Sequence, residues 1–112
     1  MNEVIQKLTD MEPFIEYLKN TKDEDWQTDK VRSGNKNCVM GHLVDWYYGK
    51  GFQGVISPVW DIFEEMWATT YMVYPVNDGQ NPKYKQETPK ERIVAYLEDL
   101  KNGKEKRTCQ LI

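Results

Sequence analysis

Asn37-Cys38-Val39-Met40-Gly41-His42-Leu43-Val44-Asp45-Trp46-Tyr47-Tyr48 is the stretch where the chain changes from polar loop to packed helix. Asn37 is a good helix N-cap, and Val39, Leu43, Trp46 and Tyr47 follow along one side at three- and four-residue steps. Met40 and Val44 widen that side, and Gly49-Lys50-Gly51 stops it. The pattern predicts an amphipathic helix. The same stretch holds the only histidine and one of the two cysteines.

Upstream, Val4, Ile5, Leu8, Met11, Ile15 and Leu18 keep the helical step, with Pro13 interrupting. Proline is tolerated in a first turn and breaks an interior, so we expect a helix from Asn2 to Thr9 and a second from Asp10 or Met11 to Asn20. Residues 21–37 have Trp26 and Val31 as nearly their only apolar side chains, which predicts a long loop pinned to the core by Trp26.

Downstream, Ser57 as N-cap and Pro58 as first helical residue open a helix whose Val59, Trp60, Ile62, Phe63, Met66 and Trp67 cover more than half its circumference. That helix is expected to be central. Tyr71-Met72-Val73-Tyr74 is β-like, and Pro75 with the turn formers Asn77-Asp78-Gly79 closes it, so one short extended segment is expected near residues 71–76. Thr88, Pro89 and Glu91 form a capping box ahead of Ile93, Val94, Leu97 and Leu100, a last helix ended by Asn102-Gly103. The expected fold is mainly α, a single small globular domain of about four to five helices over residues 1–103. Residues 104–112 are expected as a basic, flexible C-terminal tail.

The 112 residues suffice for one domain, and 39% hydrophobic with 29% charged residues at a mean hydropathy of -0.78 is the balance of a soluble globular chain. No apolar run approaches the ~20 residues of a spanning helix. Met1-Asn2-Glu3 lacks the basic start of a secretory signal, and two distant cysteines, Cys38 and Cys109, allow at most one disulfide, which points to a reducing, cytoplasmic setting. The net charge of -3 is uneven. Lys101, Lys104, Lys106 and Arg107 against Glu105 make the last twelve residues +3 and the remainder -6. An acidic body is a poor phosphate-backbone binder, so direct nucleic-acid binding is not expected, and it suits a basic protein surface.

If the central stretch is helical from Cys38, then Cys38, His42 and Asp45 share one face, a nucleophile, a base and an orienter. Backbone N–H groups of a first turn lower a thiol's pKa, although packing explains each of these residues and is the preferred reading. Gly41 inside a helix costs roughly 1 kcal/mol relative to alanine and implies a close backbone neighbour; Val76-Asn77-Asp78 is the candidate. Cys38, His42, Asn77 and Asp78 would then converge as a catalytic or small-ligand site. Three Cys or His residues in all are too few for a structural zinc site, and neither a metal nor a cofactor is expected.

The rings Trp26, Trp46, Trp60, Trp67, Tyr47, Tyr48, Tyr71 and Tyr74 exceed what one small core hides. Trp26, Tyr48, Tyr71 and Tyr74, with Asp45, are the candidate binding residues, Tyr48, Tyr71 and Tyr74 being expected to face outward. Cys109-Gln110-Leu111-Ile112 behind basic residues matches a prenylation box, with Gln110 a poor fit; a membrane enters only if Cys109 is lipidated.

Trp26, then Cys38-Val39-Met40-Gly41, then Asn77-Asp78 and a closing amphipathic helix resemble the order found in short proteins of bacteria, their phages and mobile elements, over residues 26–100. The chain departs from it at His42, where that pattern is small or apolar. The resemblance carries no activity and no catalytic residue. It implies an accessory protein of the host-defence inhibitor type, a class that works by binding a host protein or small signalling molecule. With no motif specific for a reaction, the expected function is regulatory binding of a protein partner through an acidic, aromatic-rich surface. The alternatives are a cysteine-dependent enzyme or small-ligand pocket around Cys38, His42 and Asn77, and a peripheral protein prenylated at Cys109.

Overall fold

Pro13 sets the first break in the chain. In the computed structural model, which describes residues 3–28, 32–33, 36–50 and 52–108, α1 (Glu3–Thr9) ends before it and α2 (Glu12–Lys19) carries it in the first turn, where its missing N–H is no loss. A 3-10 turn (Asp23–Asp25), β1 (Arg32–Ser33) and β2 (Lys36–Asn37) follow, then α3 (Val39–Tyr48), α4 (Ser57–Met66), α5 (Thr70–Asn77) and α6 (Pro89–Lys101). The fold is mainly α, as the periodicities predict.

One core serves all six helices of the described residues. Leu8, Phe14, Ile15, Leu18, Leu43, Phe63, Ile93 and Leu97 are fully enclosed, each side chain contributing roughly 1.5–3 kcal/mol of transfer free energy. α1 packs on α4, α2 on α3 and α6, α3 on α4 and α5, and α5 on α6. Trp67, just past α4, donates its indole N–H to the Leu8 carbonyl at 2.7 Å and fastens that end of α4 to α1. In α6 the Thr88 hydroxyl accepts from the Glu91 amide at 3.1 Å, the expected cap.

Four expectations are corrected. Residues 71–76 are helical, not extended: Val73, Val76 and Asn77 are buried at helical spacing, and this burial outweighs the β preference of the tyrosines. Pro75 sits inside α5, where the bond it forfeits is one to the carbonyl of the exposed Tyr71, which water can satisfy. Within residues 21–37, expected as a long loop, the described residues include a 3-10 turn and a short strand pair. β1 pairs antiparallel with β2, Arg32 opposite Asn37, and Trp26 bridges to Asn37. Because Asn37 belongs to β2, the N-cap of α3 is Cys38. Ser57 is likewise the first helical residue of α4, with Ile56 preceding it as cap.

Residues 104–108, expected to be part of a flexible tail, run back over the molecule. Lys104 and Glu105 donate backbone N–H groups to Asp99 O, and the Thr108 amide donates to Trp67 O at 2.8 Å. Cys109 lies outside the described residues, and no helix among the described residues is long and apolar enough to cross a membrane.

Candidate functional site

The five buried polar or charged side chains of the described residues, Asn37, His42, Asp45, Asn77 and Arg92, come from the stretch around the start of α3, the end of α5 and the first turns of α6. Asn77 is fully enclosed at the centre. Its Oδ1 accepts from the Val39 amide at 3.0 Å, so an amide at the start of α3 is satisfied by a side chain 38 residues downstream. Its Nδ2 donates to Gln27 O at 3.0 Å and to Asp78 Oδ1 at 2.9 Å. Asn37 does not cap; its Nδ2 donates to Asp45 Oδ2 at 2.8 Å.

Arg92 closes the junction from below. Its Nε donates to Val76 O at 3.0 Å, Nη2 to Asn77 O at 2.8 Å and Nη1 to Gln86 O at 2.9 Å. The first two acceptors are the last carbonyls of α5, the negative end of a helix, so the guanidinium is held where the backbone needs a donor and a cation. Gly79, at φ 79° just beyond the C-cap residue Asp78, turns the chain over that guanidinium; a Cβ there would stand 3.4 Å from Arg92 Cζ.

Cys38 and the Asn77-Asp78 pair do meet. The thiol is buried and lies within the electrostatic reach of Asp78 and Tyr74. Burial pushes its pKa up; the Gly41 and Met40 amides of the first turn pull it down, as the sequence predicts for a helix start, but burial prevails. The thiol is therefore held as a thiol at neutral pH. His42, one turn on, is buried with its ring 4.3 Å from that of Trp26. Asp45 is buried on Asn37. Cys38 is the extended N-cap and not a helical residue of α3, and Cys38, His42 and Asp45 are each inside the protein.

The rings divide differently from expectation. Trp26 is 4% exposed with its indole N–H on Thr21 Oγ1 at 2.8 Å, the loop anchor and no surface ring. Tyr48 is half-buried and stacks on Phe52 at 4.3 Å, at the end of a row that begins with Trp46 and Tyr47. Lys7 reaches over Trp46 and Tyr47 at 5.1 and 5.3 Å. Tyr71 is 92% exposed on α5. Tyr74, one turn along and half-buried, has its pKa pushed up to about 12, by burial first and then by the neighbouring Cys38, Glu64 and Asp78.

No known protein family, curated protein or solved structure matches this chain. The reading of the site therefore rests on its own geometry. Between Lys50 and Lys83 the sequence carries Asp61, Glu64 and Glu65 on α4 and Asp78 just past α5, and no lysine or arginine. Asp61 and Glu65 are exposed, and Glu64 accepts from the Thr70 amide at 3.1 Å. Among the described residues no group of three or more His, Cys, Asp or Glu side chains is placed to hold a metal ion.

Two residues that the sequence reading passed over prove to matter. Arg92 precedes Ile93 and stands four residues before Tyr96, on the buried stripe of α6, and that register was the available signal. The Tyr84 hydroxyl lies 2.7 Å from both Asp99 and Glu105 carboxylates, a contact between distant positions that no local pattern announces.

Proposed function

We propose that the chain is an accessory protein that binds a basic segment of a protein partner on the outer face of α5. The observation that carries this reading is Tyr71: a large ring left 92% exposed on α5, within a stretch of chain between Lys50 and Lys83 that has four acids and no base. Exposed rings are favoured anchors, and a one-sign surface steers a partner of opposite charge. Tyr74, one turn along α5 from the anchor, adds ring surface, and Glu64 and Asp78 near Tyr74 add negative charge.

The cysteine-dependent alternative has less support, because the polar groups around Cys38 are engaged with the chain's own backbone and the thiol is raised in pKa by burial. Prenylation at Cys109 is a separate alternative, decided by intact mass after eukaryotic expression: no lipid mass ends it.

The test is affinity capture from bacterial extract with wild type, Tyr71→Ala, and Tyr71→Ala with Tyr74→Ala. A partner captured by wild type is expected to fall at least tenfold with Tyr71→Ala and further with the pair, while the thermal transition of Tyr71→Ala stays in place, since Tyr71 is nearly all in solvent. Undiminished capture by the pair contradicts the reading.

A further inference from the structure

Arg107 and Thr108 cover the elbow between α4 and α5. The Arg107 guanidinium carbon lies 3.8 Å from the centre of the Trp67 ring, and its Nε donates to Met66 O at 2.9 Å. Met66 is the last residue of α4, so that carbonyl has no partner within the helix. The elbow thus offers a guanidinium a π face, an orphan acceptor at the negative end of a helix, and the field of Asp61, Glu64 and Glu65. Beside it Thr108 donates its amide to Trp67 O and sits 3.9 Å from Met72 Sδ, next in sequence to Tyr71. The seat therefore lies at the N-terminal end of α5, the end that also carries Tyr71.

The segment that fills the seat has no apolar anchor. Its side chains are Lys104, Glu105, Lys106, Arg107 and Thr108; its first two residues are tied to the end of α6 by the Lys104 and Glu105 amides on Asp99 O and by the Glu105 carboxylate, which meets Tyr84 Oη at 2.7 Å and Lys83 Nζ at 2.9 Å, while Arg107 and Thr108 alone reach the elbow. Lys83 is 57% exposed, so that ion pair is screened by water. Such a segment opens locally far more easily than the core beneath it.

We propose that the Trp67–Met66 elbow is a recognition seat for an arginine-bearing extended segment of the partner, and that residues 104–108 are an intramolecular stand-in that leaves when the partner's arginine enters. The exchange replaces like with like: one guanidinium over the indole, one backbone N–H on Trp67 O. This inference rests on the partner-binding reading, but its test uses no partner, so the two fail separately.

The experiment is a titration of the full chain, as wild type, Arg107→Ala and Glu105→Gln, with a synthetic peptide copying residues 103–108 and with the same peptide carrying alanine for its arginine. It is followed by the NMR signals of the Trp67 indole N–H and the Met72 methyl. The expected result is that the peptide moves both signals in Arg107→Ala with an apparent affinity at least tenfold above wild type. Glu105→Gln, which loosens the segment without touching the seat, should lie between them, and the alanine peptide should move neither signal. Equal affinity for all three proteins, or no shift in either variant at millimolar peptide, overturns the proposal and leaves the segment a fixed part of the fold. A wild-type dimer that grows with concentration and dissociates in Arg107→Ala would overturn it in favour of a second copy as the occupant.

Discussion

Arg92 and Arg107 do the same thing at the ends of neighbouring helices, and the difference between them separates structure from exchange in this molecule. Each guanidinium meets the last carbonyls of a helix, Arg92 those of α5 and Arg107 that of α4. Arg92 is buried, donates to three carbonyls and lies beneath Gly79 on a helix that carries much of the core. Arg107 is half-buried on a segment of polar residues that covers a ring. The chemistry of the bond is shared; enclosure decides whether it is permanent. The candidate residues gathered around Asn77 fall on the enclosed side of that division, and Tyr71 falls on the open side.

Asn77→Ala should cause the largest damage. It leaves the buried Val39 amide without its acceptor, at about 1–3 kcal/mol, and removes the bond to the part-buried Gln27 carbonyl, at about 0.5–1.5 kcal/mol, so a loss of about 3–4 kcal/mol is expected in a denaturant titration. Arg92→Met should follow at about 2–3 kcal/mol, because it removes the charged donors from two α5 carbonyls and from Gln86 O. Arg107→Ala, its counterpart on the strap, should cost under about 1 kcal/mol. Equal losses for the two arginines would erase the contrast.

pH should separate the regions with less effect. Burial raises Tyr96 to about 12, and Tyr74 likewise, so the folded state favours the neutral phenols. Their contribution is complete below the unfolded phenol pKa of about 10 and is lost as pH rises from there through about 12. Glu105 behaves oppositely: burial alone would raise it, but hydrogen bonds from Lys83 and Tyr84 outweigh burial and lower it. Its contribution is complete well above the ordinary carboxylate value of about 4.3 and is lost as pH falls through the lowered value, so acid should free residues 104–108 before the core opens. Trp67 and Met72 NMR shifts that change in acid while core methyl signals hold would show this order; simultaneous loss would contradict it.

Much of the fold was legible in the sequence because it rests on local rules. The apolar period gave α1, α2, α3, α4 and α6, Pro13 gave the first break, and Thr88-Pro89-Lys90-Glu91 gave the start of the last helix. α5 was misread because its tyrosines and valine satisfy β preference locally, while its helical register shows only in which of Val73, Val76 and Asn77 are buried, a matter of tertiary packing. At the candidate site, proximity of Cys38 to Asn77-Asp78 could be argued from Gly41 and the turn. The reason for it could not: the Asn77 side chain satisfies the Val39 amide from another helix, and Asn37, the expected local cap, is held in a strand pair. Arg107 on Trp67 spans forty residues of sequence, beyond any window of periodicity.

The claim that the Cys38 junction is closed structure is tested most directly by the rate at which iodoacetamide alkylates that thiol in the native full-length protein, measured by peptide mapping across pH. Burial with a raised pKa predicts alkylation at Cys38 at least ~100-fold slower than a free thiol at neutral pH, with an inflection above the ordinary thiol value. Alkylation at the free-thiol rate, with an inflection below that value, would contradict the account and return Cys38 to chemistry.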